Sequence, residues 1–317
     1  MTDLSIIVVS WNTIEMTRAC LRSVFDNAGG LRLQVIVVDN GSSDGSADMT
    51  EAEFGGATLL RNADNRGFAA ANNQALNIAE GEFTLLLNSD TLVLGDVLQR
   101  SVEFMRTRPD VGVMGCRVLN TDRTVQLTCA MQPDLVTSTL KALGLHRRSG
   151  WFGREHYRGW QRDTEREVGV VTGCYLLTRR SVIEQIGPLD EQFFFNYEET
   201  DWCRRAAKAG WKVVFAPVGE IVHHGGGSSG PDNPNREIHL IRGKIQFFRK
   251  HRGEAAACLV WLLAYAFWSS RCCIATLSVK RSASRFSRAT TVQVLRALPD
   301  IWRSRAGARP TRSEAVA

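Results

Sequence analysis

Three carboxylates fall within four positions in Phe193-Phe-Phe-Asn-Tyr-Glu-Glu-Thr-Asp-Trp-Cys-Arg-Arg205, where Glu198, Glu199 and Asp201 follow an aromatic run. Acids held beside apolar surface tend to have raised pKa values, and a carboxylate so placed can act as a general base. The same acids also suit a helix N-terminus, whose dipole favours negative charge. Another acid, Asp90, ends the run Phe83-Thr-Leu-Leu-Leu-Asn-Ser-Asp90. That run is too short for a typical helix and reads as a buried parallel strand delivering Asp90 to the edge of a sheet. A carboxylate there can hold a divalent cation, Mg²⁺ or Mn²⁺, that carries a diphosphate, and an Asx turn closing the strand is the alternative. His223-His224 closes a later apolar run before Gly225-Gly-Gly-Ser-Ser-Gly230, so an imidazole could join Asp90 on one cation.

Two further strand-like runs end in short polar residues. The first ends Val8-Val-Ser-Trp-Asn12 and the second Val37-Val-Asp-Asn-Gly-Ser-Ser-Asp-Gly-Ser46. An Asp at a strand end, beside a Gly/Ser turn and a helix start, can accept hydrogen bonds from a base or ribose while backbone N–H groups face phosphate. Ser43 or Asp44 could cap the next helix at the same time, because capping does not occupy Asp39. Asn62-Ala-Asp-Asn-Arg-Gly-Phe68 leads into Ala69-Ala-Ala-Asn-Asn73, whose small side chains would let a nucleotide approach the backbone; a tight turn is the plainer reading. No GxGxxG follows the first strand and no GxxxxGK[ST] occurs, which argues against a dinucleotide oxidoreductase and a P-loop protein.

The elements that must position these groups follow from the hydrophobic pattern. Strand-like runs at 4–9, 33–38, 58–60 and 83–87 alternate with helix-patterned stretches at about 13–27, 45–53, 68–79 and 95–107. Alternating β and α elements predict a mostly parallel sheet with helices on both faces. Pro109 and Val111-Gly-Val-Met-Gly115 open a less regular section, and residues 130–167 read as a long loop region over the site. Residues 168–179 read as a strand, 181–187 as a short helix, and 199–209 as a helix with Trp202, Ala206 and Ala209 on one side and Gly210 at its end. A strand resumes at Trp211.

At 317 residues and 44% hydrophobic content, the chain can build an α/β core with an appendage. Its charge is uneven: residues 236–317 hold 16 Lys/Arg against 4 Asp/Glu, and the residues before them 23 against 29. The division expected is therefore 1–235 as a catalytic domain and 236–317 as a basic, apolar helical tail. Apolar and aromatic company in the tail favours a membrane surface over nucleic acid as its partner. The stretch 255–279 is long enough to span a bilayer, but Arg271 interrupts it. A helix lying in the interface fits better, with Trp261, Trp268, Lys280, Arg281, Arg285 and Arg288 meeting headgroups; a true span and a packing helix of a homodimer are the alternatives. Eight cysteines without a CxxC pair read as reduced thiols. Met1-Thr-Asp runs straight into the first strand, so the expected place is cytoplasmic, peripheral on the inner face of the cell membrane.

With these segments in this order, the chain resembles the family 2 glycosyltransferases of GT-A fold, especially bacterial rhamnosyltransferase-like members that build surface polysaccharides. The resemblance covers about residues 3–250 and rests on segments 8–12, 38–46, 65–73, 86–90, 187–194 and 198–203 and the His-His-Gly-Gly stretch from 223. It implies a nucleotide-diphospho-sugar transferase fold, Rossmann-like in its sheet. It also implies that Asp39 meets the nucleobase, that Ser10, Asn12, Ser42, Asn65 and Gly67 line the donor pocket, and that Asn88 and Asp90 are the ends of a DxD-type motif. Asp90 and His223 would hold the metal. The first position of that motif is Asn88, which removes one charge, and the family's Glu-Asp base motif reads Glu198-Glu199 here. The base implied is Glu199, with Glu198 and Asp201 as the fallbacks.

The reaction implied is an inverting transfer of a sugar, with L-rhamnose from dTDP-rhamnose the best match, from a nucleoside-diphosphate donor to a saccharide or lipid-linked saccharide. A nucleotidyltransferase is the rival enzyme, although Ser10-Trp-Asn12 lacks the basic Gly-rich signature that class favours near its first strand. Asn88 and the Glu-Glu pair leave a third reading, a catalytically degenerate sugar-nucleotide-binding scaffold at the membrane.

Overall fold

The computed structural model describes residues 2–145, 154–225, 233–277 and 287–304. Gly226 to Gly230, Lys280, Arg281 and Arg285 lie outside the described residues. The chain forms two compact units, one of residues 1–132, 159–190 and 199–228, the other of 133–158, 191–198 and 229–317.

In the first unit the chain alternates β1 (Leu4–Ser10), α1 (Ile14–Asp26), β2 (Leu33–Asp39), α2 (Ser46–Glu53), β3 (Ala57–Arg61), α3 (Phe68–Leu76) and β4 (Phe83–Asn88). It continues through β5 (Thr91–Val93), α4 (Val97–Thr107), β6 (Val111–Leu119) and β7 (Cys129–Ala130). After α5 (Leu135–Ala142), which belongs to the second unit, come β8 (Arg166–Glu167), β9 (Val170–Val171), β10 (Tyr175–Arg179), α6 (Arg180–Ile186), α7 (Glu198–Lys208) and β11 (Lys212–His223). The main sheet runs β3-β2-β1-β4-β10-β6-β11-β5. β3, β2, β1 and β4 are mutually parallel, and β10 runs antiparallel to both β4 and β6. The predicted mostly parallel α/β sheet is thus present. β1 and β4 are buried nearly throughout, which explains their almost unbroken apolar runs. Ile6, Val8, Val37, Leu85 and Leu87 form the core under α1, whose buried Thr17, Cys20, Leu21 and Val24 share one helical face.

Three sequence readings need correction. Val111 to Gly115 opens not an irregular section but β6, which lies between β10 and β11 in the sheet. Its glycines disguise it. A Cβ on Gly112 would stand 2.6 Å from Trp211 Cβ, so the glycine permits a close approach rather than a turn. The supposed loop 130–167 contains α5, started by a capping box in which Asp134 accepts from the Thr137 N–H at 2.6 Å. Thr stands where Glu or Gln usually signals that motif. Residues 168–179 form two strands: β9 pairs with β7, and β10 enters the main sheet.

The second unit contains α5, α8 (Pro234–Arg252), α9 (Glu254–Leu277) and α10 (Arg288–Arg303), packed around Ile245, Phe247, Phe248, Val260, Trp268, Val294 and Leu298. Among the described residues the tail is mostly helical. Of its tryptophans, Trp268 is buried and Trp261 half-buried. Trp268 is 3% exposed, and Trp261 donates its Nε1–H to the Leu298 carbonyl at 2.9 Å and lies 5.7 Å from the Trp302 ring. The exposed face of α9 instead carries Leu259, Leu262, Tyr265 and Ile274. The segment Glu254–Ile274 is long and apolar enough to cross a membrane.

Candidate active site

The parallel register places the polar residues of three strands side by side. Ser10 pairs with Asp39 and Val9 with Asn88, so the carboxyl ends of β1, β2 and β4 form one edge. Ligands of open α/β sheets bind at such an edge. Ser10 is buried, its hydroxyl 2.8 Å from that of Thr17, and Thr13 Oγ1 lies 3.2 Å from Ser89 Oγ, which ties the first loop to the Asn88–Asp90 turn.

Asp39 is 4% exposed. Its Oδ2 accepts from the Ser42 N–H at 3.0 Å, whereas its buried Oδ1 meets no hydrogen-bond partner among the described residues. A buried acceptor left open at a sheet edge fits a donor group on a ligand. Asn12 and Ser42 are occupied with shaping the rim. The Asn12 N–H donates to Ser42 Oγ at 3.0 Å and Asn12 Oδ1 accepts from the Ser43 N–H at 2.8 Å, with Asn12 at φ 52°. Asp44 caps two helices at once, accepting from the Ile14 N–H at the start of α1 and from the Ser46 N–H at the start of α2. Asn65 Oδ1 accepts from the Gly67 N–H at 3.0 Å, and Gly67, at φ 83°, turns the chain into α3.

The last strand brings in the histidine. β11 lies against β5 with His223 opposite Thr91, and the His224 N–H donates to the Asp90 carbonyl at 3.0 Å. This sets His223 Nε2 3.2 Å from Asp90 Oδ1 and 3.3 Å from Asn88 Nδ2. Adjacent ligands on an octahedral cation lie about 3 Å apart, given metal–ligand distances of about 2.1 Å, so this pair fits a shared cation. Among the described residues there is no cluster of three or more His, Cys, Asp or Glu side chains suited to a metal. Two protein ligands are what a cation held partly by substrate phosphates needs.

Glu198 opens α7 and is buried, and Glu199 is half-buried. The Cys174 thiol is pushed up to about 12 by burial, partly offset by a Thr172 hydrogen bond, with Asp90 and then Glu199 adding to the rise. Both carboxylates are therefore within electrostatic range of one sulfur. Asp201 is wholly buried, 2.8 Å from Arg205 Nε, and Arg205 donates onward to the Ile186 and Pro188 carbonyls. Asp201 thereby fixes α7 to the end of α6. The structure adds two residues not singled out from sequence. Buried Asn40 bonds Asn62, Asn65 and the Arg66 N–H, and Gln126 faces His223 at 2.7 Å. Asn40 stood inside the polar turn already marked, whereas no local pattern distinguishes Gln126.

The sequence profile described as Glycosyl transferase family 2 matches residues 5–187. An N-acetylglucosaminyl-diphospho-decaprenol L-rhamnosyltransferase of Mycobacterium tuberculosis is 27% identical over 249 residues, covering 73% of this chain and 80% of that protein. A hexosyltransferase of low-salt glycan biosynthesis from Haloferax volcanii is 24% identical over 226 residues, 70% of this chain and 67% of its own length. Among solved structures, a mannosyltransferase from Pyrobaculum calidifontis, in complex with GDP-Man and Mn²⁺, shares the fold at TM-score 0.55 and 16% identity. That match covers 95% of this chain and 82% of the other.

Proposed function

We propose, from the premise that the chain belongs to glycosyl transferase family 2, that it transfers L-rhamnose from dTDP-rhamnose to a lipid-linked saccharide, with inversion, in cell-surface polysaccharide synthesis. The observation that carries the reading is the shared edge where Ser10, Asp39 and Asn88 align and His223 stands 3.2 Å from Asp90. The name of the mycobacterial relative supports the sugar and the diphospho-lipid acceptor.

In this reading Asp39 takes a base N–H on its open Oδ1, and Ser10, Asn12, Ser42, Asn65 and Gly67 shape the donor pocket. Glu199 accepts the proton of an acceptor hydroxyl, whose oxygen attacks the anomeric carbon from the face opposite the nucleoside diphosphate. The new glycosidic C–O bond forms as the bond to the diphosphate breaks, and the proton remains on Glu199. Asp90 and His223, beside Asn88, would hold a divalent cation, which would supply neutralisation of the diphosphate charge. Buried Glu198 and the Asp201–Arg205 pair hold α7, and with it Glu199, in place. The exposed Leu259, Leu262 and Tyr265 of α9 supply interfacial attachment at the inner membrane face, which suits a lipid-linked acceptor.

Calorimetry of dTDP, UDP and GDP, each with and without Mn²⁺ or Mg²⁺, tests this together with turnover of dTDP-rhamnose. Cation-dependent dTDP binding that is lost in Asp90→Ala is the expected result. Equal binding in that variant would remove Asp90 from the donor site.

A further inference from the structure

The end of β6 turns back on itself. Leu119 bridges to Val125, the Asn120 N–H donates to the Thr124 carbonyl at 2.8 Å, and Arg123 takes φ 67° at the tip. Four side chains of this hairpin form a chain of hydrogen bonds whose direction is determined at its outer end. The Asp122 carboxylate, held below its usual range chiefly by the Thr124 hydroxyl, can only accept, so the Thr124 O–H donates to it at 2.6 Å. Thr124 Oγ1 must then accept from Asn120 Nδ2, at 2.9 Å. Asn120 consequently turns its Oδ1 inward, where it accepts from Gln126 Nε2 at 2.8 Å, and the same amide reaches the His223 carbonyl at 3.2 Å. Gln126 is left with its Oε1 facing His223 Nδ1 at 2.7 Å.

An amide oxygen cannot donate, so Nδ1 carries a proton, and in the neutral ring the lone pair is then on Nε2. That is the nitrogen 3.2 Å from Asp90 and 3.3 Å from Asn88. In the neutral ring Nε2 can accept from Asn88 Nδ2, and a cation between Nε2 and Asp90 Oδ1 would take up the lone pairs that face each other there. Metal-bound histidines commonly have their other N–H held by an acceptor that fixes the tautomer, and losing that acceptor typically weakens metal binding 10- to 100-fold.

We infer that Gln126, oriented through Asn120, Thr124 and Asp122, is a positioning residue that locks His223 in its Nδ1–H tautomer and so presents Nε2 to the cation. The inference deepens the reading of Asp90 and His223 as a cation-holding pair and rests on it for its consequence, though not for the tautomer itself.

Long-range ¹⁵N–¹H spectra of histidine-labelled full-length protein, without metal, read the tautomer directly. Wild-type His223 is expected as Nδ1–H. Gln126→Leu is expected to shift it towards Nε2–H and to weaken Mn²⁺ binding in the presence of dTDP about 10- to 100-fold. Gln126→Glu, which keeps an acceptor at the same place, is expected to retain Nδ1–H, a rescue that a merely structural role would not produce. An Nε2–H tautomer in the wild type, which needs no variant to fold, overturns the inference, as does an unchanged tautomer in Gln126→Leu. Nδ1–H in a wild type that binds no Mn²⁺ with dTDP would support the lock while overturning the cation reading.

Discussion

Replacing Asp39 by Asn should stabilise the free protein and weaken nucleotide binding. Asp39 is 4% exposed, and of its two carboxylate oxygens one accepts from the Ser42 N–H while the other has no partner among the described residues. A buried acceptor left unsatisfied costs about 1–3 kcal/mol, more when charged. Asn can keep the Ser42 bond through its Oδ1 and places a neutral group where the open oxygen was, which lowers the cost of burial. A gain of about 1 kcal/mol is expected, or about 2–4 °C in Tm for a domain of this size. The ligand sees the reverse. A hydrogen bond from a base N–H to a carboxylate is worth about 1.5–3 kcal/mol, and the amide NH₂ would oppose that N–H rather than accept it. dTDP affinity should fall about 10- to 150-fold at 1.4 kcal/mol per tenfold. Scanning calorimetry of the ligand-free protein and titration with dTDP measure the two effects separately. A lower Tm with unchanged dTDP affinity would refute the reasoning, because Asp39 would then serve only to hold the Ser42 loop.

Three further outcomes follow from other parts of the molecule. Glu199→Gln should lower turnover about 10²- to 10⁴-fold while leaving dTDP affinity near wild type, and full activity in steady-state assays would move the base to Glu198. Asp3 is buried between Arg32 and Arg106, and hydrogen bonds from Arg32 and then Arg106 hold its carboxyl well below the usual range. Because its folded pKa is depressed, its contribution is present above about pH 4, its unfolded value, and lost as pH falls through the folded one. Asp3→Asn should therefore lower Tm at pH 7, with the gap to wild type closing progressively below pH about 4; a gap constant with pH would refute the ionic account. Serine at Leu259, Leu262 and Tyr265 together should abolish co-sedimentation with anionic vesicles, whereas persistence of binding would remove the exposed face of α9 from membrane contact.

The site's two halves were unequally legible. Ser10, Asp39 and Asn88 could be placed on one edge from sequence because each ends a buried parallel strand, and apolar runs broken by Gly, Ser, Asn and Asp mark both the strand and its end. Register then follows, since slipping a doubly buried strand would expose its apolar residues. Glu198 and Glu199 could likewise be read at the start of a helix. The middle of the chain was less readable: close packing against Trp211 put a glycine inside β6, and a Thr at the third position concealed the start of α5.

The basic and apolar composition of the tail was plain, but not its facing. Trp261 and Trp268 are compatible with headgroups by type alone, and only the packing of α9 against α8 and α10 turned them inward and left Leu259, Leu262 and Tyr265 outside. The Asp90–His223 and Gln126–His223 contacts are the same kind of fact. Sequence by itself determined which residue types stand at the strand ends, because local hydrophobic period and turn chemistry are written in neighbouring residues. Tertiary structure decided which of them meet, because the pairing of β11 with β5 brings His223 to Asn88, 135 positions away, and to Gln126, 97 positions away.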